Sequence, residues 1–352
     1  MMTTSQLPGH PENDVLREDE VIERIWRRIP SSAHGALRLG VGDDAALLRL
    51  ASGAECVLTC DQFLENVHFK PRAHPPRAVG YKALARATSD IAAMGARPRV
   101  FLLSLALPSE RTGVWLDRMT AGMAQAARQF GLTLAGGDIA RATGANATTA
   151  FSITVVGEIE AGGAVRRDSA RHGDPIFVSG VLGAAQLGLE LLLHGSRGIG
   201  PARRRRLLLP QFYPQPGIEL GRWLARRRLA SAMMDLSDGL STDLWRLCQA
   251  SGVGARINEK EIPGVVVPQS LRQTSYGNGF DARSLALHGG EDYGLLFTVP
   301  ARWASRIPGA FRGTRITRIG EIVRGRGITL VLERGHAVPL APRGWDHFRA
   351  PK

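Results

Sequence analysis

Tyr81-Lys82-Ala83-Leu84-Ala85-Arg86-Ala87-Thr88-Ser89-Asp90-Ile91-Ala92-Ala93-Met94 lies inside a run, about 76–94, that reads as a helix of small and apolar residues. Asp90 is out of place there. Aspartate has a weak propensity for helix interiors, and Ile91, Ala92, Ala93 and Met94 beside it are apolar. No Lys or Arg follows at i+3 or i+4; Arg86, at i−4, is the basic neighbour, in the weaker orientation for a helix pair. A second helix is expected at about 110–130, with Leu116, Met119, Met123, Ala126 and Phe130 on one face at spacings of three and four. Strands are expected at 45–50, 55–61, 99–107, 132–136 and 149–158. The resulting β-β-α-β-α-β-β order is a mixed α/β unit with its helices on one side of a sheet.

A polar, Gly-rich stretch from Glu160 to Gly173 marks a boundary. Beyond it, Asp174 to Gly180 reads as a strand and turn. Helices are expected at 182–194, 202–208, 216–229 and 239–250, and strands at 231–235, 293–299, 315–322 and 328–332; 258–280 shows no clear period. The expectation is an α/β protein of α+β type, an N-terminal mixed-sheet domain (26–165) packed with a C-terminal α/β domain (166–352). Residues 1–25, polar and carrying Pro8 and Pro11, are expected to form a flexible tail.

The 352 residues are 44% hydrophobic and 22% charged, which are globular values. The net charge is +13, and all but Lys70, Lys82, Lys260 and Lys352 of the 45 basic residues are Arg. A basic surface suits anionic partners. The arginines are nevertheless spread along the chain, and the one dense run, Arg203 to Arg206, lacks the interleaved aromatics of single-strand binders. No nucleic-acid partner is expected. Cys56, Cys60 and Cys248 form no CxxC pair and no disulfide framework. No run of 18 apolar residues occurs, so no membrane partner and a cytoplasmic location are expected.

The chemistry concentrates in aspartates at strand ends and turns. They are Gly42-Asp43-Asp44-Ala45, Thr59-Cys60-Asp61, Ser89-Asp90, Gly136-Gly137-Asp138 and Asp235-Leu236-Ser237-Asp238-Gly239. Taken singly, Asp43 and Asp138 are explained as turn formers and Asp238 as a helix cap. Clustered carboxylates repel and cost several kcal/mol unless neutralised. Mg²⁺ is the usual partner, since it takes oxygen ligands, keeps waters and bridges carboxylates to phosphates. No G-x-x-x-x-G-K-[ST] loop, dinucleotide fingerprint, nucleophile elbow or H-E-x-x-H helix is present. His68, in Glu65-Asn66-Val67-His68-Phe69, is the one histidine near an Asp turn, and a lone histidine is more often structural. Glu291, in Gly289-Gly290-Glu291-Asp292-Tyr293, is an acid after a Gly pair, a ligand position or a simple turn.

Together, the segments Gly40 to Leu48, Asp61 to Phe69, Tyr81 to Pro98, Gly136 to Asp138, Met234 to Leu244, Gly289 to Val299 and Gly344 to Phe348 resemble the thiamine-monophosphate kinase family of the aminoimidazole-ribonucleotide synthetase superfamily. The order is the family's and covers nearly the whole chain. The resemblance implies an aminoimidazole-ribonucleotide-synthetase-like fold, a homodimer formed through the N-terminal sheets, and ATP between the domains with Mg²⁺ on its phosphates. It implies thiamine monophosphate as phosphoryl acceptor, with thiamine diphosphate as product. By position, Asp44, Thr59, Cys60, Asp61, Asp90, Asp138, Asp235 and Asp238 would be metal ligands. Of these, Asp44, Asp61, Asp90, Asp138 and Asp238 would form the catalytic set. Gly137, Asp138, Arg167 and Ser237 would touch ATP; His68, Glu291 and Trp345 would touch thiamine monophosphate. Two departures stand out: Cys60 replaces the family's usual Thr, and Gly294 its frequent Glu. The alternatives are a selenophosphate synthetase-like enzyme, disfavoured because residues 1–40 hold no Cys; a hydrogenase-maturation-like enzyme; and a basic nucleic-acid-binding protein.

Overall fold

The computed structural model describes residues 18–30, 36–39, 47–144, 146–195, 198–272 and 281–348. Helix α1 (Glu18–Arg28) precedes a short antiparallel pair, β1 (Leu37–Leu39) and β2 (Leu47–Leu48). Then follow β3 (Ala54–Leu64), α2 (Pro76–Ala93), β4 (Arg97–Leu107), α3 (Val114–Phe130), β5 (Thr133–Arg141) and β6 (Ala150–Glu160). These strands form a sheet in the order β3-β6-β4-β5, parallel between β4 and β5. Both helices lie on one face, as the sequence pattern requires, and all five residues of the expected α3 face are buried. Helix α2 starts with proline in its first turn, where the missing N–H is no loss. It is buried on nearly every side, against α3 and the inner face of the sheet.

Two glycines make that packing close. A Cβ at Gly122 of α3 would stand 1.8 Å from the Arg77 carbonyl oxygen, and one at Gly80 of α2 would stand 2.0 Å from that of Met119. The helices meet backbone to backbone at both points.

The second half contains β7 (Pro175–Ser179), α4 (Ala184–His194), α5 (Pro201–Phe212), α6 (Ile218–Arg226), β8 (Ala232–Asp235), α7 (Leu240–Ser251) and β9 (Gly254–Asn258). It continues with α8 (Gln269–Arg272), α9 (Ala282–His288), β10 (Leu295–Thr298), β11 (Ala310–Phe311), β12 (Thr314–Val323), β13 (Gly327–Val331) and β14 (Ala337–Pro339). The sheet order is β14-β13-β9-β12-β7-β10-β8, with β11 on β12. Strand β8 is therefore an edge, and α2 of the first half packs against it. One apolar cluster runs through both halves, from Phe101 and Ile153 to Leu224, Leu295 and Phe297.

Three expectations from the sequence change. Residues 18–25, expected in the tail, belong to α1, because Val21, Ile25 and Ile29 recur every four residues and bury against the first sheet unit. Strand β9, between β12 and β13, has no counterpart among the expected strands; its residues Gly254–Asn258 carry Arg256 and Asn258, which hide the strand pattern. Part of the unassigned 258–280 stretch is α8, and 273–280 lies outside the described residues.

Gly122→Val should lower stability by about 1–3 kcal/mol or more through overpacking. A thermal melt reads this directly, and an unchanged melting temperature would mean that the α2 and α3 backbones do not touch.

Candidate active site

Lys82, Arg86 and Asp90 recur at steps of four along α2 and so share one face of an otherwise apolar helix. At the C-terminal end of this stripe, the Thr59 hydroxyl of β3 donates to the Asp90 carboxylate. Asp61 is two residues further along β3 and on the same side as Thr59. It lies 3.4 Å from the Arg86 Nε, so Arg86 pairs with Asp61 rather than with Asp90. From the other half, β8 ends at Asp235, which is 6% exposed. Burial, then the charge of Asp90, pushes the Asp235 carboxyl up to about 7; Asp61 and Asp238 add to the shift and the Ser89 hydroxyl opposes it. Burial also raises Asp61, against the attraction of Arg86 and with the repulsion of Asp90 and Asp238. Four carboxylates from β3, α2 and the 235–238 turn thus act on one another at the junction of the two halves.

The turn after β8 is held from within. Asp243, fully buried, accepts from the N–H groups of Asp238 (3.1 Å) and Gly239 (3.0 Å), and Arg246 bridges Asp238 and Asp243. Two distant segments lie against this turn. The N–H groups of Glu291 and Tyr293 donate to the carbonyls of Ser237 and Leu236, each at 2.8 Å. The Gly344 N–H donates to Thr242 Oγ1 (2.9 Å) and the Trp345 N–H to the Asp238 carbonyl (3.0 Å). A Cβ at Gly344 would stand 1.8 Å from that carbonyl oxygen, so glycine is required for the approach.

At the other end of the stripe, the Lys82 Nζ lies 2.7 Å from Glu291 Oε2 and also donates to Gln211. Burial alone would raise Glu291, but the charge and hydrogen bond of Lys82, with the Gln211 amide, hold it below the usual carboxylate range. The next residue, Asp292, instead accepts from the N–H groups of Gly183 and Ala185 and so caps α4. His68 Nδ1 accepts from the Leu64 N–H at 2.9 Å, which leaves the proton of the neutral ring on Nε2. Burial, then the charge of Arg86, holds His68 down to about 3. Its Nε2 is buried and has no hydrogen-bond partner among the described residues. The His68 ring meets His347 edge-on at 5.4 Å, and His347 meets Trp345 edge-on at 5.7 Å.

Thr59, Asp61, Asp90, Asp235 and Asp238 therefore adjoin the C-terminal end of the stripe, and Glu291 adjoins Lys82. Ser237 and Trp345 bond through their backbones to Glu291 and Asp238 respectively, and His347 stands between the Trp345 and His68 rings. The rest are placed differently. Asp138 lies in register with Ser104 on the exposed face of the first sheet, and Gly137 precedes it. The Cys60 side chain is on that exposed face too, 3.4 Å from Ser152 Oγ, and points away from Thr59 and Asp61 by strand alternation. Arg167 is exposed, with its carbonyl accepting from Ser251. Asp44 falls outside the described residues. Among the described residues, no three His, Cys, Asp or Glu side chains are gathered closely enough to hold a metal ion by themselves. At Gly294, a Cβ would come 2.4 Å from the Ser179 carbonyl oxygen, so the strand pairing here has no room for a side chain. The sequence reading does not pick out Lys82, Gln211 or Asp243, and it sets Arg86 beside Asp90 where the structure pairs it with Asp61. For Lys82 a signal exists: its spacing of eight from Asp90, two steps of four.

Residues 42–159 match the family model for the N-terminal domain of AIR synthase related proteins, and 173–333 match that for the C-terminal domain. The chain is 33% identical over 320 residues to the thiamine-monophosphate kinase of Bacillus subtilis, covering 90% of this chain and 95% of that protein. In structure it is similar to the thiamine-monophosphate kinase of Stenotrophomonas maltophilia, with TM-score 0.75, 35% identity and coverage of 92% of this chain and 98% of that one. It is also similar to AaThiL complexed with AMPPCP and TMP, with TM-score 0.71, 34% identity and coverage of 88% and 92%.

The strain on Asp235 sets a pH dependence. Its folded pKa lies above the ordinary 3.8, so the stability it contributes is full below about pH 4 and is lost as the pH rises through about 7. Asp235→Asn mimics the protonated form. Without divalent cations it should melt higher than the parent at pH 8 and at the same temperature near pH 4. A difference that does not change between the two pH values would show that the carboxyl is not under electrostatic strain.

Proposed function

We propose that this chain, which belongs to the thiamine-monophosphate kinase family, transfers the γ-phosphoryl group of ATP to thiamine monophosphate, giving ADP and thiamine diphosphate. The observation that carries the chemistry is the set of mutually repelling carboxylates, Asp61, Asp90, Asp235 and Asp238, against the Lys82–Glu291 end of α2.

Those carboxylates fit Mg²⁺. The donors are hard oxygens, and the Asp235 carboxyl is raised first by its burial and then by the negative charge of Asp90 beside it. An ion that keeps several waters and takes phosphate oxygens does not need a closed protein cage. Asp61, Asp90, Asp235 and Asp238, with Thr59, would hold it, and Asp44 is assigned to the same role. When bound it supplies neutralising charge to the ATP phosphates. Cys60 would contribute through its backbone, since its thiol faces away. Gly137, Asp138, Arg167 and Ser237 are assigned to the nucleotide. The same reading divides the chain at 165/166, with ATP between the two domains, and pairs the exposed sheet face, where Leu58 and Leu102 stand open, with a second copy in a homodimer.

The reaction needs no strong base. A phosphate monoester is largely dianionic at pH 7, its second pKa being ~6. One of its oxygens forms the new bond to the γ-phosphorus. The bond from that phosphorus to the bridging oxygen of ADP breaks, and ADP keeps the electron pair. His68 cannot serve as the base: its accepting nitrogen is already bonded to a backbone N–H, and Nε2 carries the proton. It can donate to substrate instead. Glu291 and the Trp345 ring, 45% exposed, suit the cationic organic end of thiamine monophosphate, the ring by cation–π attraction.

Incubation with ATP, Mg²⁺ and thiamine monophosphate should yield thiamine diphosphate, whereas free thiamine should be turned over poorly. Rapid phosphorylation of free thiamine with none of the monophosphate would overturn the assignment. Asp90→Asn should cut kcat by at least about 10–100-fold and raise the Mg²⁺ requirement, while the metal-free protein melts no lower than the parent. Trp345→Ala should raise the KM for thiamine monophosphate several-fold and leave that for ATP unchanged. Equal rises for both substrates with a lowered melting temperature would make Trp345 a structural anchor.

A further inference from the structure

Glu291 is unusual in three ways. Its backbone has φ 69° and that of Tyr293 has φ 51°, a region that costs a residue with a side chain about 1–3 kcal/mol. The carboxylate is held by two internal donors, the Lys82 Nζ at 2.7 Å and the Gln211 Nε2 at 3.0 Å. Both donors converge on Oε2, and Oε1 accepts from none of the described residues. The two donors are themselves odd. Lys82 is 1% exposed on a helix of alanines. Gln211 is 0% exposed on α5, whose arginines 203–206 face outward and whose other buried residue is Leu208. Burying an ammonium and an amide costs several kcal/mol unless they are paired.

We infer that Lys82 and Gln211 are positioning residues. They fix one oxygen of Glu291 and keep the group ionised, so that its other oxygen is a preformed anionic acceptor for the organic, cationic end of the substrate. This rests on the reading that places Glu291 at thiamine monophosphate. Charge decides which end it meets, because a fixed carboxylate repels the phosphate. His68 supports the same placement: its buried Nε2–H, which has no partner among the described residues, is a donor left for substrate. The network also spans three elements, α2, α5 and the 289–293 loop. A purely structural role would therefore act on stability, and a positioning role on substrate affinity.

The two are separated by Gln211→Met, which keeps volume and leaves the Lys82–Glu291 pair intact, and by Lys82→Arg, which keeps the charge but alters the geometry. Steady-state kinetics are measured for both substrates, together with inhibition by free thiamine, a probe of the organic end alone. Gln211→Met should raise the KM for thiamine monophosphate roughly tenfold, about 1.4 kcal/mol. It should weaken thiamine inhibition by the same factor and leave kcat and the KM for ATP near the parent values. Lys82→Arg should fall between the parent and Gln211→Met. Glu291→Gln is the control for the underlying reading. If it leaves the KM for thiamine monophosphate unchanged, Glu291 is not at the substrate and both ideas fail. If it raises that KM while Gln211→Met and Lys82→Arg do not, Glu291 binds substrate without help and the positioning inference alone is overturned. A lowered melting temperature in both variants, with unchanged KM and unchanged thiamine inhibition, overturns it in the same way.

Discussion

The junction of the two halves is organised around like charges that should not be neighbours. Asp61, Asp90, Asp235 and Asp238 come from a strand, a helix and a turn, and their mutual repulsion helps burial push a carboxyl to about 7. Packing alone does not call for such a group, and apolar replacements would stabilise the metal-free fold. Much of the architecture exists to hold it anyway. Strand β8 is at a sheet edge, so Asp235 can face α2 instead of another strand. Helix α2 is buried on nearly every side and is therefore locked between α3, the first sheet and β8. The glycine contacts at residues 80 and 122 set how deeply it sits.

The stripe on α2 is graded. Asp90 belongs to the carboxylates, Arg86 reaches Asp61 in the middle, and Lys82 holds Glu291 at the far end. Two steps of four residues separate the first from the last, about 12 Å at ~1.5 Å per residue. One rigid element thus aligns the carboxylate group and the Lys82–Glu291 pair. Alignment of this kind is what phosphoryl transfer between two anions demands, since positioning and charge neutralisation supply most of its acceleration.

Where the chemistry is local, it is legible in the sequence. The α3 face follows from five apolar residues at helical spacing, and the oddness of Asp90 from its apolar neighbours. Neither depends on a partner elsewhere in the chain. What stays hidden is set by distant partners. Lys82 and Arg86 look like ordinary helix cations until Glu291, 209 positions from Lys82, and Asp61 of β3 are brought alongside. Gln211 follows a run of arginines with no local hint that it points inward. Asp138 follows two glycines as a ligand would, and its strand places it on the exposed face of the first sheet, in register with Ser104. Helix α1 is hidden because the prolines and acids before it dominate the composition, although residues 21, 25 and 29 are in step.

The contact between Gly344, Trp345 and the 238–242 turn has a consequence for biosynthesis. A chain leaves the ribosome N-terminus first, and domains fold as they emerge. Strand β3, α2 and the 235–238 turn are all made well before Gly344, which pairs with Thr242 across 102 positions. The carboxylate group can therefore assemble on a nascent chain that still lacks the cover over His68. The segment around Gly344 is the last of these parts to reach the 238–242 turn. A ribosome halted just short of it would leave the carboxylate group in place without Trp345 and His347 beside His68.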